Sequence, residues 1–109
     1  MGEVVRPLAQ LDINLSLSNL TKIPMEQMNS NLRSIDLKQN KITLLPPELF
    51  SLLPHLWKLQ LDHNLLTSLP DFLPLASSLR TLTLSHNSLE SPLPLSLFEC
   101  TQLERLDLS

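Results

Sequence analysis

Residues 32–46 read LRSIDLKQNKITLLP, and residues 56–70 repeat the arrangement as LWKLQLDHNLLTSLP. Superposed, the two stretches match Leu32, Ile35, Leu37, Asn40, Ile42, Leu45 and Pro46 to Leu56, Leu59, Leu61, Asn64, Leu66, Leu69 and Pro70. A third copy follows as Leu79, Leu82, Leu84, Asn87, Leu89, Leu93 and Pro94, with one extra residue before its last Leu. A weaker copy precedes them (Gln10, Ile13, Leu15, Ser18, Leu20, Ile23, Pro24), and a partial one begins at Leu103, Leu106 and Leu108. Self-similarity at a period of 22 to 24 residues marks stacked units, each of which buries its apolar face only against its neighbours.

Within a copy, Ile35-Asp36-Leu37 and Leu82-Thr83-Leu84 alternate apolar and polar side chains, the period of a short strand. This predicts strands near residues 13–15, 35–37, 59–61, 82–84 and 106–108. Every unit runs in the same chain direction, so neighbouring strands are parallel and about 4.8 Å apart. Asn40, Asn64 and Asn87 follow their strands at a constant interval. A short amide both donates and accepts, so these three are expected to form a ladder that satisfies turning backbone inside the coil. Ser18 is a weaker substitute in the first copy.

The return segments vary more. Pro46 to Leu53 places Pro at a first helical turn, which predicts a short helix or 3₁₀ turn. Phe50 and Phe98 are expected at equivalent places, with Leu73 and Met28 completing that seam, and Cys100, aligned with Leu52 and Ala76, is expected as a small buried hydrophobe.

The pattern L-x-x-L-x-L-x-x-N-x-L followed by x-x-L-P resembles the leucine-rich repeat family from Gln10 to Ser109. The resemblance implies an α/β solenoid, a right-handed coil with a parallel sheet on its concave face and short helices or 3₁₀ turns on its convex face. Residues 1–9 form a lead-in, followed by repeats at about 10–31, 32–55, 56–78 and 79–102 and a partial one at 103–109. The resemblance further implies a protein-interaction module. The ending Asn-x-Leu-x-x-Leu-Pro is common in intracellular signalling and scaffold members, and secreted members use it too.

Composition narrows the function. A chain of 109 residues with 42% hydrophobic side chains suits one domain, and a single Gly beside nine Pro suits turns set by Asn and Pro. A net charge of −3 disfavours nucleic acid and anionic membranes, which attract basic stripes. Cys100 stands alone, so no intramolecular disulfide forms, which points to a reducing, cytoplasmic setting. The stretch Met1 to Arg6 offers neither a signal-peptide core nor a myristoylation motif. No apolar run reaches the roughly 20 residues of a membrane span, so membrane insertion is not expected. The partial repeat ending at Ser109 predicts an uncapped C-terminal edge open to self-association. It also reads as part of a longer protein, such as a repeat-containing kinase or ubiquitin ligase, or a receptor ectodomain.

The repeat register sorts outward residues into columns. Leu11, Arg33, Trp57, Arg80 and Glu104 each follow a first Leu, and Trp between two Arg is the composition of an interface hot spot. Asn14, Asp36, Gln60, Thr83 and Asp107 form a second column, Ser16, Lys38, Asp62 and Ser85 a third, and Leu17, Gln39, His63 and His86 a fourth. From these, Arg33, Trp57, Arg80, Asp36, Gln60, Asp62, His63 and His86 are the candidate contacts for a protein partner. His63 and His86 lie one strand apart, yet a metal needs three or four ligands and no third is evident. His55, in the loop before a repeat, carries no reading. Asn14-Leu-Ser16 and Asn19-Leu-Thr21 are glycosylation sequons that matter only on a secreted chain. Without a phosphate-binding Gly-rich loop, an H-E-x-x-H motif or a nucleophile elbow, neither an enzyme nor a cofactor is expected.

Overall fold

The computed structural model describes residues 11–90 and 92–109; Gln10 and the lead-in over 1–9 lie outside the described residues. Five three-residue strands, β1 (Asp12–Asn14), β2 (Ser34–Asp36), β3 (Lys58–Gln60), β4 (Thr81–Thr83) and β5 (Arg105–Asp107), form one sheet. All neighbours are parallel and the order follows the chain, β1-β2-β3-β4-β5. The radius of gyration, 14.6 Å, exceeds the roughly 13 Å of a compact globule this long, as stacking in one direction requires.

Each strand begins one residue earlier than the alternation predicted, because pairing starts ahead of the second Leu of the repeat. The Ser34, Lys58, Thr81 and Arg105 N–H groups donate to Leu11, Arg33, Trp57 and Arg80 carbonyls. The third apolar position still belongs to the ladder: Leu37 N–H donates to Gln60 O at 2.9 Å and Leu61 N–H to Thr83 O at 2.8 Å. Ile35, Leu37, Leu59, Leu61, Leu82 and Leu84 are buried, so the apolar side of the alternation is the core.

Three residues beyond the strand ends, the backbone of Leu17, Gln39, His63 and His86 turns into the left-handed region, at φ 55–58°. That conformation costs a non-Gly residue roughly 1–2 kcal/mol. Its N–H is spent on the next coil in every case, Leu17 on Lys38 O, Gln39 on Asp62 O, His63 on Ser85 O and His86 on Ser109 O.

The turn then drives the Asn amide inward. Asn64 Nδ2 donates to Leu37 O at 2.9 Å and Leu61 O at 3.0 Å, and its Oδ1 accepts Ile42 N–H at 3.1 Å. Asn87 repeats this one coil on, donating to Leu61 O and Leu84 O and accepting from Leu66 N–H. Asn40 donates to Leu15 O and Leu37 O and accepts from Ser18 N–H and Leu20 N–H. Leu37 O and Leu61 O therefore each serve two amides from adjacent coils. Ser18 is exposed, and its hydroxyl donates locally to Ser16 O.

The convex side is built of 3₁₀ turns, Met25–Gln27, Phe50–Leu52, Leu73–Leu75 and Leu95–Glu99, with no α-helix among the described residues. The segments are too short to nucleate an α-helix in isolation, and Pro74 occupies the opening of its turn. The expected Phe50/Phe98 seam is corrected here. Phe50 instead packs on Phe72, both fully buried, with ring centroids 4.9 Å apart, whereas Phe98 is 67% exposed and Leu73 58% exposed. Three residues per turn put Leu97 and Cys100 on the inner face of the last segment and turn Phe98 outward. Cys100 is buried as expected but occupies the place of Leu53, since both accept the N–H of a first Leu, Leu103 and Leu56. Burial raises its thiol pKa, assisted by Glu99, which keeps the sulfur protonated and unreactive.

Asn64→Ala leaves Ile42 N–H without its acceptor and takes one donor from Leu37 O and Leu61 O; urea denaturation should show a loss of roughly 1–3 kcal/mol. Leu61→Ala, at a fully buried position, should cost roughly 2–5 kcal/mol in the same experiment. A smaller loss for Leu61→Ala than for the half-exposed Leu106→Ala would contradict this account of the core.

Candidate functional site

The outward side chains lie in columns whose neighbours are tied through backbone. Trp57 N–H donates to Arg33 O at 2.9 Å, Arg80 N–H to Trp57 O at 2.8 Å and Glu104 N–H to Arg80 O at 2.7 Å. Leu11, Arg33, Trp57, Arg80 and Glu104 thus stand side by side at the entry end of successive strands, and all five are exposed. Trp57 is 40% exposed, held by β-sheet backbone and not by burial of its ring.

An open groove of about 430 Å³ runs along this edge. Arg33, Trp57 and Arg80 line it from the sheet, and His55, Ser77, Ser78 and Gln102 line it from the loops that lead into the strands. His55, Ser78 and Gln102 each immediately precede a first Leu of the repeat, so they form a further column. The repeat register extended by one residue would have found His55, which sequence reasoning set aside. No carboxylate lines the groove among the described residues. Nor does either guanidinium pair with a carboxylate or stack on the indole among those residues, where the one ion pair is Lys38–Asp36 at 3.8 Å. The Ser78 hydroxyl is buried without a hydrogen-bond partner.

A second overlooked column, Asp12, Ser34, Lys58, Thr81 and Arg105, flanks the first and is fixed by the strand register. Alternation about Ile35 carries the signal, since Ser34 and Asp36 lie on the same face. With it, charge across the sheet becomes polarised. Arg33, Arg80, Lys58 and Arg105, four of the chain's eight Lys and Arg, occupy the two entry columns, with Asp12 and Glu104 at their ends.

The exit columns hold Asp36, Asp62 and Asp107, and their carboxylates are spent on turns or on the neighbouring coil. Asp36 accepts Lys38 N–H at 3.0 Å. Asp62 accepts Ser85 N–H at 2.8 Å and its hydroxyl at 3.0 Å. Asp107 accepts the Ser109 hydroxyl and N–H. Those two bonds, the hydroxyl first, hold the Asp107 carboxyl below the ordinary aspartate range, with a smaller contribution from the Arg105 charge. Gln60 lies between Asp36 and the buried Thr83 in the middle of the sheet.

His63 and His86 stack face to face, with centroids 4.3 Å apart and planes 13° from parallel, at the exit margin and away from the groove. Parallel stacking aims the ring nitrogens past each other, the wrong geometry for one shared ion. Among the described residues no group of three or more His, Cys, Asp or Glu could hold a metal, and no helix is long and apolar enough to cross a membrane. The structure brings Arg33, Trp57 and Arg80 together, keeps the His pair apart from them, and leaves Asp36, Asp62 and Gln60 between.

The family model "Leucine rich repeat" matches residues 11–66, half of the chain, and a second leucine-rich repeat model matches residues 78–100. The rat protein "Leucine-rich repeat-containing G-protein coupled receptor 5" is 55% identical over 40 residues, covering 37% of this chain and 4% of its own length. The human "Leucine-rich repeats and immunoglobulin-like domains protein 3" is 30% identical over 97 residues, covering 89% of this chain and 9% of its own length. The chain thus spans less than a tenth of either relative.

Proposed function

We propose that this chain, which belongs to the leucine-rich repeat family, is a non-catalytic recognition module that holds a partner protein on its concave sheet, centred on Trp57, Arg33 and Arg80. One observation carries the reading. The entry-side cations and the exposed indole enter into no ion pair or stack among the described residues, while the exit-side carboxylates are consumed by Ser and Lys turns. A surface retained for its own stability would spend its charges as the exit side does. Exposed Trp and Arg are the residues that most often dominate protein interfaces. Asp36, Gln60, Asp62, His63 and His86 extend the contact surface towards the exit margin.

Size bears on the partner. Five strands about 4.8 Å apart, each showing some 20 Å of outward surface, offer on the order of 400–500 Å², against about 800 Å² on each side of a standard interface. The module therefore grips a segment or loop of its partner, or shares the work with surface outside this chain. In a pulldown, Trp57→Ala should lose the partners that the wild type retains; equal recovery by both would remove the entry column from the interface.

Self-association belongs to the same reading. Leu106 and Leu108 occupy core positions of the repeat, yet are 37% and 41% exposed, whereas Leu59 and Leu61 are fully buried. A second copy stacked on β5 would cover them. Light scattering at rising concentration should show mass growth that Leu106→Lys abolishes; a strict monomer throughout would exclude this contact.

Two settings fit such a module. The lone, buried Cys100 supports an intracellular signalling scaffold, and the rat relative, a receptor by name, supports an extracellular one. Asn14 and Asn19 are exposed, so intact-mass analysis of protein made by a secretory host separates the settings. Glycan on either favours the receptor, and an unmodified chain favours the scaffold.

A further inference from the structure

We infer that the entry groove selects an acidic, extended segment of the partner that lies across the strands, with an apolar side chain on Trp57 and carboxylates on Arg33 and Arg80. The inference rests on the concave-sheet reading above and deepens it. The groove is lined by two guanidiniums and one indole with no carboxylate among the described residues, and Lys58 and Arg105 stand in the adjoining column. The carboxylates of Asp36, Asp62 and Asp107 lie in the exit columns and disfavour an acidic ligand there, while Asp12 and Glu104, at the two ends of the entry columns, do not line the groove. Charge complementarity therefore decides both the class of occupant and where on the sheet it sits.

The spacing narrows the occupant further. Arg33 and Arg80 flank Trp57 one strand to either side, so their backbones are about 9.6 Å apart at 4.8 Å per strand. In an extended polyproline-II segment, residues i and i+3 share a face and are about 9.3 Å apart. Carboxylates at i and i+3 therefore reach both guanidiniums, and the two residues between them point about 120° to either side of that face, so the apolar one of the pair meets the indole from the flank of the segment. Arg is suited to this role because its planar fork takes a carboxylate in two parallel hydrogen bonds. Gln102 and His55, on the loop side of the groove, supply donors for the ligand backbone.

Trp57 is the chain's single Trp, so its fluorescence reports the groove alone. Titration of the 109-residue protein with a capped Glu-Pro-Leu-Glu peptide should shift that emission saturably, while Gln-Pro-Leu-Gln should not. Arg33→Glu and Arg80→Glu should each weaken the acidic peptide about tenfold or more. The double variant should bind Lys-Pro-Leu-Lys in its place, which a misfolded protein cannot do. Acidic and neutral peptides that shift the emission alike would overturn the acidic selection while leaving the concave surface as a binding face. No shift with any peptide would overturn the groove as a segment-binding site, and the Trp57→Ala pulldown would then decide the broader reading separately.

Discussion

The shared carbonyl is the constraint on which this fold depends. Leu37 O accepts from both Asn40 and Asn64, and Leu61 O from both Asn64 and Asn87. Each coil must turn inward after its strand, which leaves backbone groups where water cannot reach them, and an unmet buried polar group costs about 1–3 kcal/mol. An amide placed at the turn meets that need in its own coil and in the one before. Because one acceptor serves two coils, the register between them is settled at the same time, and every outward column inherits its alignment from this bond.

Alignment turns sequence into surface chemistry. Once the strands are in register, Arg33, Trp57 and Arg80 become neighbours although 24 and 23 positions separate them along the chain. The sheet then divides by use. On its exit side Asp36 and Asp107 close turns with Lys38 and Ser109, and Asp62 ties its coil to the next through Ser85. On its entry side no such closure exists among the described residues, and the charges face solvent. Carboxylates suit the first role because they accept N–H and O–H bonds both within two residues of themselves, as Asp36 and Asp107 do, and from the next coil, as Asp62 does, whereas long cationic side chains with a free head suit the second.

Strand number, direction and the central columns were legible in the sequence because they depend on the strictly spaced positions around Asn40, Asn64 and Asn87. The convex side was not. Counting from Pro46 to Phe50 gives four residues, whereas Phe72 lies two beyond Pro70, yet Phe72 is the ring that meets Phe50. Segments of unequal length fill one core by different routes, and tight three-residue turns then chose Leu97 over Phe98 for burial. In the candidate site, Lys58 and Arg105 were within reach of the alternation rule, because residues two apart share a face. His55 and Gln102 share a place in the repeat, one residue ahead of a first Leu, but that this place lines the groove depends on how the entry loops fold beside the sheet.

Nearest-neighbour coupling of this kind also sets where motion begins. In the β1 coil Ser18 donates to Asn40 through its backbone without offering an amide in return, so that junction has half of the ladder found further along. Stability in a linear stack is a sum of coil and junction contributions, so transient opening starts where a junction is weakest. The β2 and β3 coils are each braced by two amides, Asn40 with Asn64 and Asn64 with Asn87, and the β3 coil is the one whose strand Trp57 leads into. The proposed anchor of the surface thus stands on doubly tied coils, so a ligand held there as proposed would meet a braced centre.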